Sequence, residues 1–206
     1  MNEATTPKER TRARILDEAA KAMREKGADG IGVAALMKRA GLTHGGFYAH
    51  FENRDDLVAH AVDRMFQDSD FVLERHLAGN EAAKGLSELI DYYLSEETWK
   101  HTDRGCPLPS LGGEASRMPT AARQRFSDGI HAFRAALAAS LAALGSPDPE
   151  SLAASVLAEM VGAMTLARTL DEDAARAALR ASREQLTRRI GLSTKPNGGF
   201  SQLSDR

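Results

Sequence analysis

The sequence predicts an all-α protein of about nine helices, from its composition, its apolar periodicity and its regularly placed helix caps and glycines. The 206 residues include 35 Ala and 22 Leu but only 5 Ile and 6 Val. Ala and Leu favour helices, whereas β-branched residues favour strands. Hydrophobic residues at 42% and charged residues at 27% are typical of a folded protein with its own core. This composition argues against an all-β fold and against a disordered chain.

Three helices are predicted near the N-terminus. The first begins at a capping box, Thr6 to Glu9, with proline at its first position, and it ends at Gly27. A second helix runs from Val33 to Ala40 and stops at Gly41. Thr43 is then placed to cap a third helix, His44 to Phe51. The expected local structure is a helix followed by a helix-turn-helix.

Longer helices are predicted in the rest of the chain. Asn53 is expected to cap a helix from Arg54 to about Ala78. One amphipathic helix is expected over 81–100, followed by a Gly- and Pro-rich break and a helix over 119–144. A further helix should reach Ala167, and Asp171 is expected to cap the last one.

The chain carries no pattern that predicts a secreted, membrane-bound or metal-binding protein. Its N-terminus lacks an apolar stretch, and the apolar segment over 152–167 is shorter than the roughly 20 residues of a spanning helix. A single cysteine, Cys106, cannot form an intrachain disulfide, which favours a cytoplasmic location. The histidines lack the spacing of a zinc site. We therefore expect no membrane contact, no metal and no cofactor.

The segment from Gly27 to Leu57 resembles the DNA-binding domain of TetR/AcrR-family transcriptional regulators. The matching features are the glycine after the first helix, the turn Ala40 to Thr43, and a group of residues beyond the turn: Gly45, Phe47, Tyr48, His50, Phe51, Arg54 and Leu57. The resemblance covers about the first 60 residues. It implies a helix-turn-helix whose second helix enters the major groove of double-stranded operator DNA.

The resemblance also implies which residues contact DNA. These are Gly32, Thr43, His44, Gly45, Gly46, Tyr48, His50 and Arg54. Tyr48, His50 and Arg54 are expected to contact the phosphate backbone, and His44 and Gly46 to face the bases. Gly32 stands where many relatives have Ser or Thr, and His44 where lysine is common. Phe47 and Phe51, four residues apart, are expected to be core.

An unidentified small-molecule effector is expected to bind the later helices. Its pocket walls are predicted to be Met65, Phe66, Tyr92, Trp99, Cys106, Phe126, Phe133, Met160 and Met164. Cys106 precedes a short helix and lies near His101 and Arg104, which are features that lower a thiol pKa. The cysteine is therefore either a sensor of oxidants and electrophiles or an inert core thiol.

The last two helices are expected to form a homodimer, with an interface at Ala175, Leu179, Ser182 and Leu186. Residues 1–53 are predicted to be the helix-turn-helix domain, 54–190 the effector-binding and dimerisation domain, and 191–206 a disordered tail. The predicted function is a repressor that binds a palindromic operator as a homodimer and is released by its effector. Two alternatives stay open: an enzyme that uses Cys106 as nucleophile and His101 as base, and a regulator that responds only to another protein.

Overall fold

The computed structural model describes residues 6–30 and 32–192, and in this part of the chain it contains nine α-helices and no strand. The helices are α1 (Pro7–Lys26), α2 (Val33–Arg39), α3 (Arg54–Leu77), α4 (Ala82–Tyr93), α5 (Glu96–Lys100), α6 (Leu108–Leu111), α7 (Thr120–Ala143), α8 (Pro149–Ala167) and α9 (Glu172–Arg189). Two 3₁₀ segments, His44–Ala49 and Ala115–Arg117, complete the described structure. The all-α prediction is confirmed.

Side-chain caps fix the predicted helix starts. The Thr6 hydroxyl accepts a hydrogen bond from the Glu9 amide at 3.2 Å, and the Glu9 carboxylate accepts one from the Thr6 amide at 2.6 Å. Asn53 accepts from the Asp56 amide at 2.9 Å and begins α3. Asp171 accepts from the Ala174 amide at 3.0 Å and begins α9. Each cap satisfies an amide that has no partner within its own helix.

The single helix predicted over 81–100 is two helices in the structure. The α4 helix ends at Tyr93, and the Ser95 hydroxyl accepts a hydrogen bond from the Thr98 amide at 3.1 Å to begin α5. The new direction lets Trp99 donate its indole N–H to the Ala167 carbonyl at 2.9 Å. The amphipathic pattern continues across the break, so periodicity alone does not reveal the cap.

The core is centred on α3, which packs against α1 on one side and against α4 and α7 on the other. The Phe66 ring of α3 meets the Phe126 ring of α7 edge to face, with centroids 5.4 Å apart. Gly129, one turn further along α7, leaves the space that the Phe66 ring occupies. The α3 helix therefore connects the N-terminal helices with the rest of the molecule.

The α8 helix packs between α7 and α9, as the core helix of a folded protein does. By length and composition it is also the one helix of the described residues that could cross a membrane. The α9 helix turns Ala175, Leu179 and Leu186 inward, where they are buried within the protomer. Gly191 and Leu192 follow α9, and the remainder of the predicted tail, 193–206, lies outside the described residues.

Candidate nucleic-acid interface and effector site

The turn between α2 and the 3₁₀ segment His44–Ala49, here called the recognition segment, is built around Gly41. This residue has φ +68°, a conformation that favours glycine. The Leu42 amide donates to the Met37 carbonyl at 2.8 Å and closes the turn. Beyond the turn, the Phe47 and Phe51 rings stack with centroids 5.5 Å apart. Both rings are buried, which agrees with their expected core role.

The recognition segment differs from its prediction in conformation. It is a 3₁₀ helix, and the Thr43 side chain makes no capping hydrogen bond. Gly45 and Gly46 weaken α-helix formation here, because glycine has the largest backbone entropy to lose. Tyr48 remains 70% exposed, and its ring meets the buried Phe47 edge to face at 5.3 Å. The segment thus presents a rigid aromatic side chain to solvent.

Three glycines near this surface are not required by the protein's own packing. A Cβ atom added at Gly32 or Gly45 would meet no atom within 4 Å. At Gly46 the same atom would lie 3.7 Å from the Met37 methyl carbon, an ordinary contact. None of the three has a positive φ. The lack of a side chain at each of them leaves the backbone open to close approach by another molecule.

His50 lies at the end of the recognition segment and is partly buried. Its Nδ1 atom is buried and has no hydrogen-bond partner among the described residues. Burial lowers the pKa of His50, and the nearby charges of Lys8 and Arg12 lower it further. A neutral imidazole and two cations of α1 therefore lie close together on this part of the molecule.

Arg54 does not point freely into solvent. Its guanidinium donates to the Ala28 carbonyl at 2.7 Å and lies 2.9 Å from the Asp29 carboxylate. It thereby ties the start of α3 to the loop between α1 and α2, and its predicted phosphate contact stays a prediction. The sequence reasoning also missed an open groove of about 530 Å³ beside α2. Its lining residues are Lys26, Gly30, Gly32, Ala35, Lys38 and Arg39.

The predicted pocket residues separate into two groups. Six are buried in the helical core: Met65, Phe66, Phe126, Phe133, Met160 and Met164. Tyr92 is instead 41% exposed and lines a surface recess of about 60 Å³, while Trp99 and Cys106 are partly buried at the edge of the core. The structure therefore does not gather the nine residues around one open cavity, and their role as a pocket stays a prediction.

The surroundings of Cys106 reverse the expected direction of its pKa shift. Burial raises the pKa of the thiol, and the Tyr93 and Ser69 hydroxyls and the Leu108 amide oppose that effect only partly. The arginines that act on the thiol are Arg24 of α1 and Arg168, whereas Arg104, the arginine expected from the sequence, is exposed. A charged side chain on the buried face of α1 was the signal that could have found Arg24.

Three hydrogen bonds connect the neighbourhood of Cys106 with the N-terminal helices. Arg24 donates to the Met65 carbonyl at 3.2 Å and to the Asp68 carboxylate at 2.8 Å. The Glu114 carboxylate, which follows α6, accepts a hydrogen bond from the Ala28 amide at 2.9 Å. The loop between α1 and α2 is thus held by a residue from the second half of the chain.

The residues of the predicted subunit interface are covered within the protomer. Ala175, Leu179 and Leu186 are buried within one protomer, and Ser182 is partly buried, so this stripe is not offered to a second chain. The exposed face of α8 is instead formed by small and apolar residues. These are Ser155, Ala158, Thr165 and Leu166, and Leu170 lies just beyond the helix.

An exposed recognition segment on a short helix and turn defines the class of the protein as a helix-turn-helix DNA-binding regulator. The model of the bacterial regulatory proteins of the tetR family matches residues 15–61. The model of the tetracyclin repressor-like C-terminal domain matches residues 82–182. The chain belongs to the TetR family of transcriptional regulators. Since this family consists of DNA-binding regulators that are not enzymes, the alternative of an enzyme built on Cys106 and His101 is set aside.

Individual relatives agree with this assignment. The TetR-family regulator from Cytophaga hutchinsonii is 24% identical, with a TM-score of 0.81, and the match covers 94% of this chain and 100% of that one. E. coli NemR, in its reduced form, is 19% identical with a TM-score of 0.79, over 90% and 100% of the two chains. The uncharacterised HTH-type transcriptional regulator YwcC of Bacillus subtilis (strain 168) is 24% identical over 120 residues. That match spans about half the length of YwcC, 54%, and 53% of this chain.

Proposed function

We propose that this protein is a cytoplasmic repressor that binds a palindromic operator as a homodimer and is released by an effector. Residues 1–53 act as the DNA-binding domain and residues 54–190 as the effector-binding and dimerisation domain. The observation that carries the DNA-contact assignment is the open space at Gly32, Gly45 and Gly46, where the fold itself does not require glycine. Backbone amides at such open positions can approach phosphates closely.

The contacting side chains are those of the recognition segment and its flanks. Thr43, His44 and Tyr48 are exposed, and the neutral His50 can donate an N–H to a phosphate. Arg54 fixes the loop between α1 and α2 by its hydrogen bond to the Ala28 carbonyl. Its remaining N–H groups contact a phosphate when DNA is bound. Sequence is read by few side chains, because Gly46, one of the two positions expected to face the bases, has no side chain.

Binding to DNA from upstream of the protein's own gene is the first test. In fluorescence anisotropy at physiological salt we expect a Kd of about 10⁻⁸ M or tighter, and binding about 10³-fold or more weaker to random duplex. The affinity should fall steeply as salt is raised, because phosphate contacts release counterions. Absence of binding to any duplex at low salt would refute the proposed function. Equal affinity for both duplexes would restrict it to non-specific binding.

The homodimer is proposed to form through the exposed face of α8. Leu166 is 61% exposed there, beside small residues that let a second helix approach closely. Small and apolar residues on the outer face of an otherwise buried helix are explained by a partner chain.

We expect Ala158→Glu to convert the protein into a monomer, because it places a charge in the centre of that face. Sedimentation velocity measures the change, and operator affinity should fall with it. Ala121→Glu is the matched control, since Ala121 is also an exposed helical alanine but lies at the start of α7. A dimeric Ala158→Glu variant, or a monomeric Ala121→Glu variant, would place the interface elsewhere.

Cys106 is proposed to make the regulator responsive to oxidants and electrophiles. NemR is described in a reduced form, and Cys106 is the single cysteine of this chain. Because burial raises the pKa of its thiol, the reaction proceeds through the small fraction present as thiolate. We expect Cys106→Ser to bind DNA as the wild type does and to lose only its release by N-ethylmaleimide or hydrogen peroxide. Release of both proteins at equal reagent concentration, measured by anisotropy, would exclude Cys106 as the sensor.

A further inference from the structure

Four buried polar atoms near Cys106 have no hydrogen-bond partner among the described residues apart from that thiol, which the Ser69 and Tyr93 hydroxyls adjoin. They are Arg24 Nε, Ser69 Oγ, the Tyr93 hydroxyl oxygen and Arg168 Nε. Arg24, Ser69 and Tyr93 are only 5%, 3% and 3% exposed. Buried polar atoms in folded proteins almost always have a partner, and a group of them with none or with a weak one is a place where a water, an ion or a bound molecule fits. We call these four residues and Cys106 the polar cluster.

The polar cluster is assembled from five separate parts of the chain. Arg24 lies in the last turn of α1, Ser69 in α3, and Tyr93 at the end of α4. Cys106 precedes α6, and Arg168 follows α8. The Ser69 and Tyr93 hydroxyls adjoin the thiol, and the charges of Arg24 and Arg168 act on the same group. The unpartnered atoms are thus gathered at one place in the core.

The cluster carries more positive than negative charge. Among the described residues, the Asp68 carboxylate is the one anionic partner of Arg24, and it is shared with Arg64. Arg168 donates to the neutral Ser110 hydroxyl at 2.7 Å, and no carboxylate lies within 4.0 Å of it in the described part of the chain. The thiol does not supply the missing charge, since burial raises the pKa of Cys106 and keeps it neutral. A buried guanidinium without an anion is unfavourable, because arginine stays protonated.

We propose that the polar cluster binds the carboxylate of a small monoanionic effector between Arg24 and Arg168. The guanidinium groups supply the charge, and the Ser69 and Tyr93 hydroxyls donate hydrogen bonds to the carboxylate oxygens. The rest of the ligand is apolar, because the Tyr93 ring packs against the Phe133 ring, with centroids 6.3 Å apart, and both rings would adjoin the ligand. Cys106 and Arg168 are partly exposed and give access from the surface.

The site would act directly on the DNA-binding part of the molecule. Arg24 belongs to α1, which packs against α2, and its present partners are the Met65 carbonyl and Asp68 of α3. A carboxylate that attracts Arg24 competes with these contacts and shifts α1 relative to α3. This regulatory consequence rests on the proposed function, whereas carboxylate binding itself does not.

Thermal unfolding of the full chain tests the binding without DNA. We expect saturating sodium benzoate to raise the Tm by about 5 °C relative to sodium chloride at the same ionic strength and pH. Arg168→Gln should lose this shift, and Arg168→Lys should keep part of it. Arg180→Gln is the matched control, because Arg180 is exposed on α9, and it should respond as the wild type does. No shift in the wild type, or an equal shift in Arg168→Gln, would overturn the proposal.

Two further Tm measurements distinguish which anion occupies the polar cluster. A shift with inorganic phosphate but with neither benzoate nor acetate would overturn the assignment of a carboxylate. A shift that is absent in the wild type and present in Cys106→Ser would show that the thiolate fills the site, which also overturns it. Anisotropy with operator DNA is then repeated with benzoate. Failure to bind DNA at any benzoate concentration refutes the proposed function, while the Tm shift still decides the carboxylate site.

Discussion

Gly45→Glu is expected to weaken operator binding by about 100-fold or more while the protein stays folded. The fold tolerates the side chain, because a Cβ atom at Gly45 meets nothing within 4 Å and the backbone there has no positive φ. The carboxylate would face phosphates at the start of the recognition segment, and like charges brought together at an interface cost several kcal/mol. Fluorescence anisotropy measures the affinity, and circular dichroism measures the helix content.

Ala121→Glu is the control for this experiment. Ala121 is also exposed, but it lies at the start of α7 in the second half of the chain. The two variants carry the same change in charge, so a general electrostatic effect would weaken both equally. A loss confined to Gly45→Glu supports the DNA-contact assignment. Wild-type affinity in Gly45→Glu would remove Gly45 from the interface.

Gly129→Ala is expected to lower the free energy of unfolding by about 2 kcal/mol. An added Cβ atom would lie 2.4 Å from two ring carbons of Phe66, and the ring cannot withdraw because Phe126 packs against it. Overpacking of this kind costs about 1–3 kcal/mol and outweighs the gain of about 0.5–1 kcal/mol from replacing a helical glycine. Urea unfolding followed by circular dichroism measures the change.

Two companion variants separate packing from helix propensity. Asp128→Ala alters the neighbouring exposed position of α7 and should change stability by no more than about 0.5 kcal/mol. In a Phe66→Leu background the loss caused by Gly129→Ala should be smaller, because the ring that causes the overlap is gone. If Gly129→Ala were as stable as the wild type, the contact between α3 and α7 would have room for a larger side chain at this position, which contradicts the prediction.

Helix starts and fold class could be predicted because their signals are local. Thr6, Asn53 and Asp171 cap helices where the sequence predicts them, and their partners are amides three residues ahead. The helix-turn-helix was recognisable for a similar reason, since the turn at Gly41 and the spacing of Phe47 and Phe51 lie within one short segment.

The features that the sequence did not predict correctly depend on which element of the folded protein covers a given helix face. The stripe that includes Ala175 and Leu179 is predicted to contact a second chain, but periodicity does not tell whether another helix of the same chain or a second chain covers it. The polar cluster was missed because Arg24 and Arg168 are 144 positions apart and meet only after folding. Tertiary placement of this kind has no local sequence signal.

The position of Ala28 limits how this protein could be re-engineered. Its amide is held by Glu114 and its carbonyl by Arg54, so the loop that positions α2 is fixed from outside the first 53 residues. A chimera that joined those residues to the effector half of another regulator would lose both contacts unless the new half supplied an arginine and a carboxylate at the same places. Exchange of operator specificity by domain grafting therefore requires that Arg54 and Glu114 be transplanted together with the helix-turn-helix.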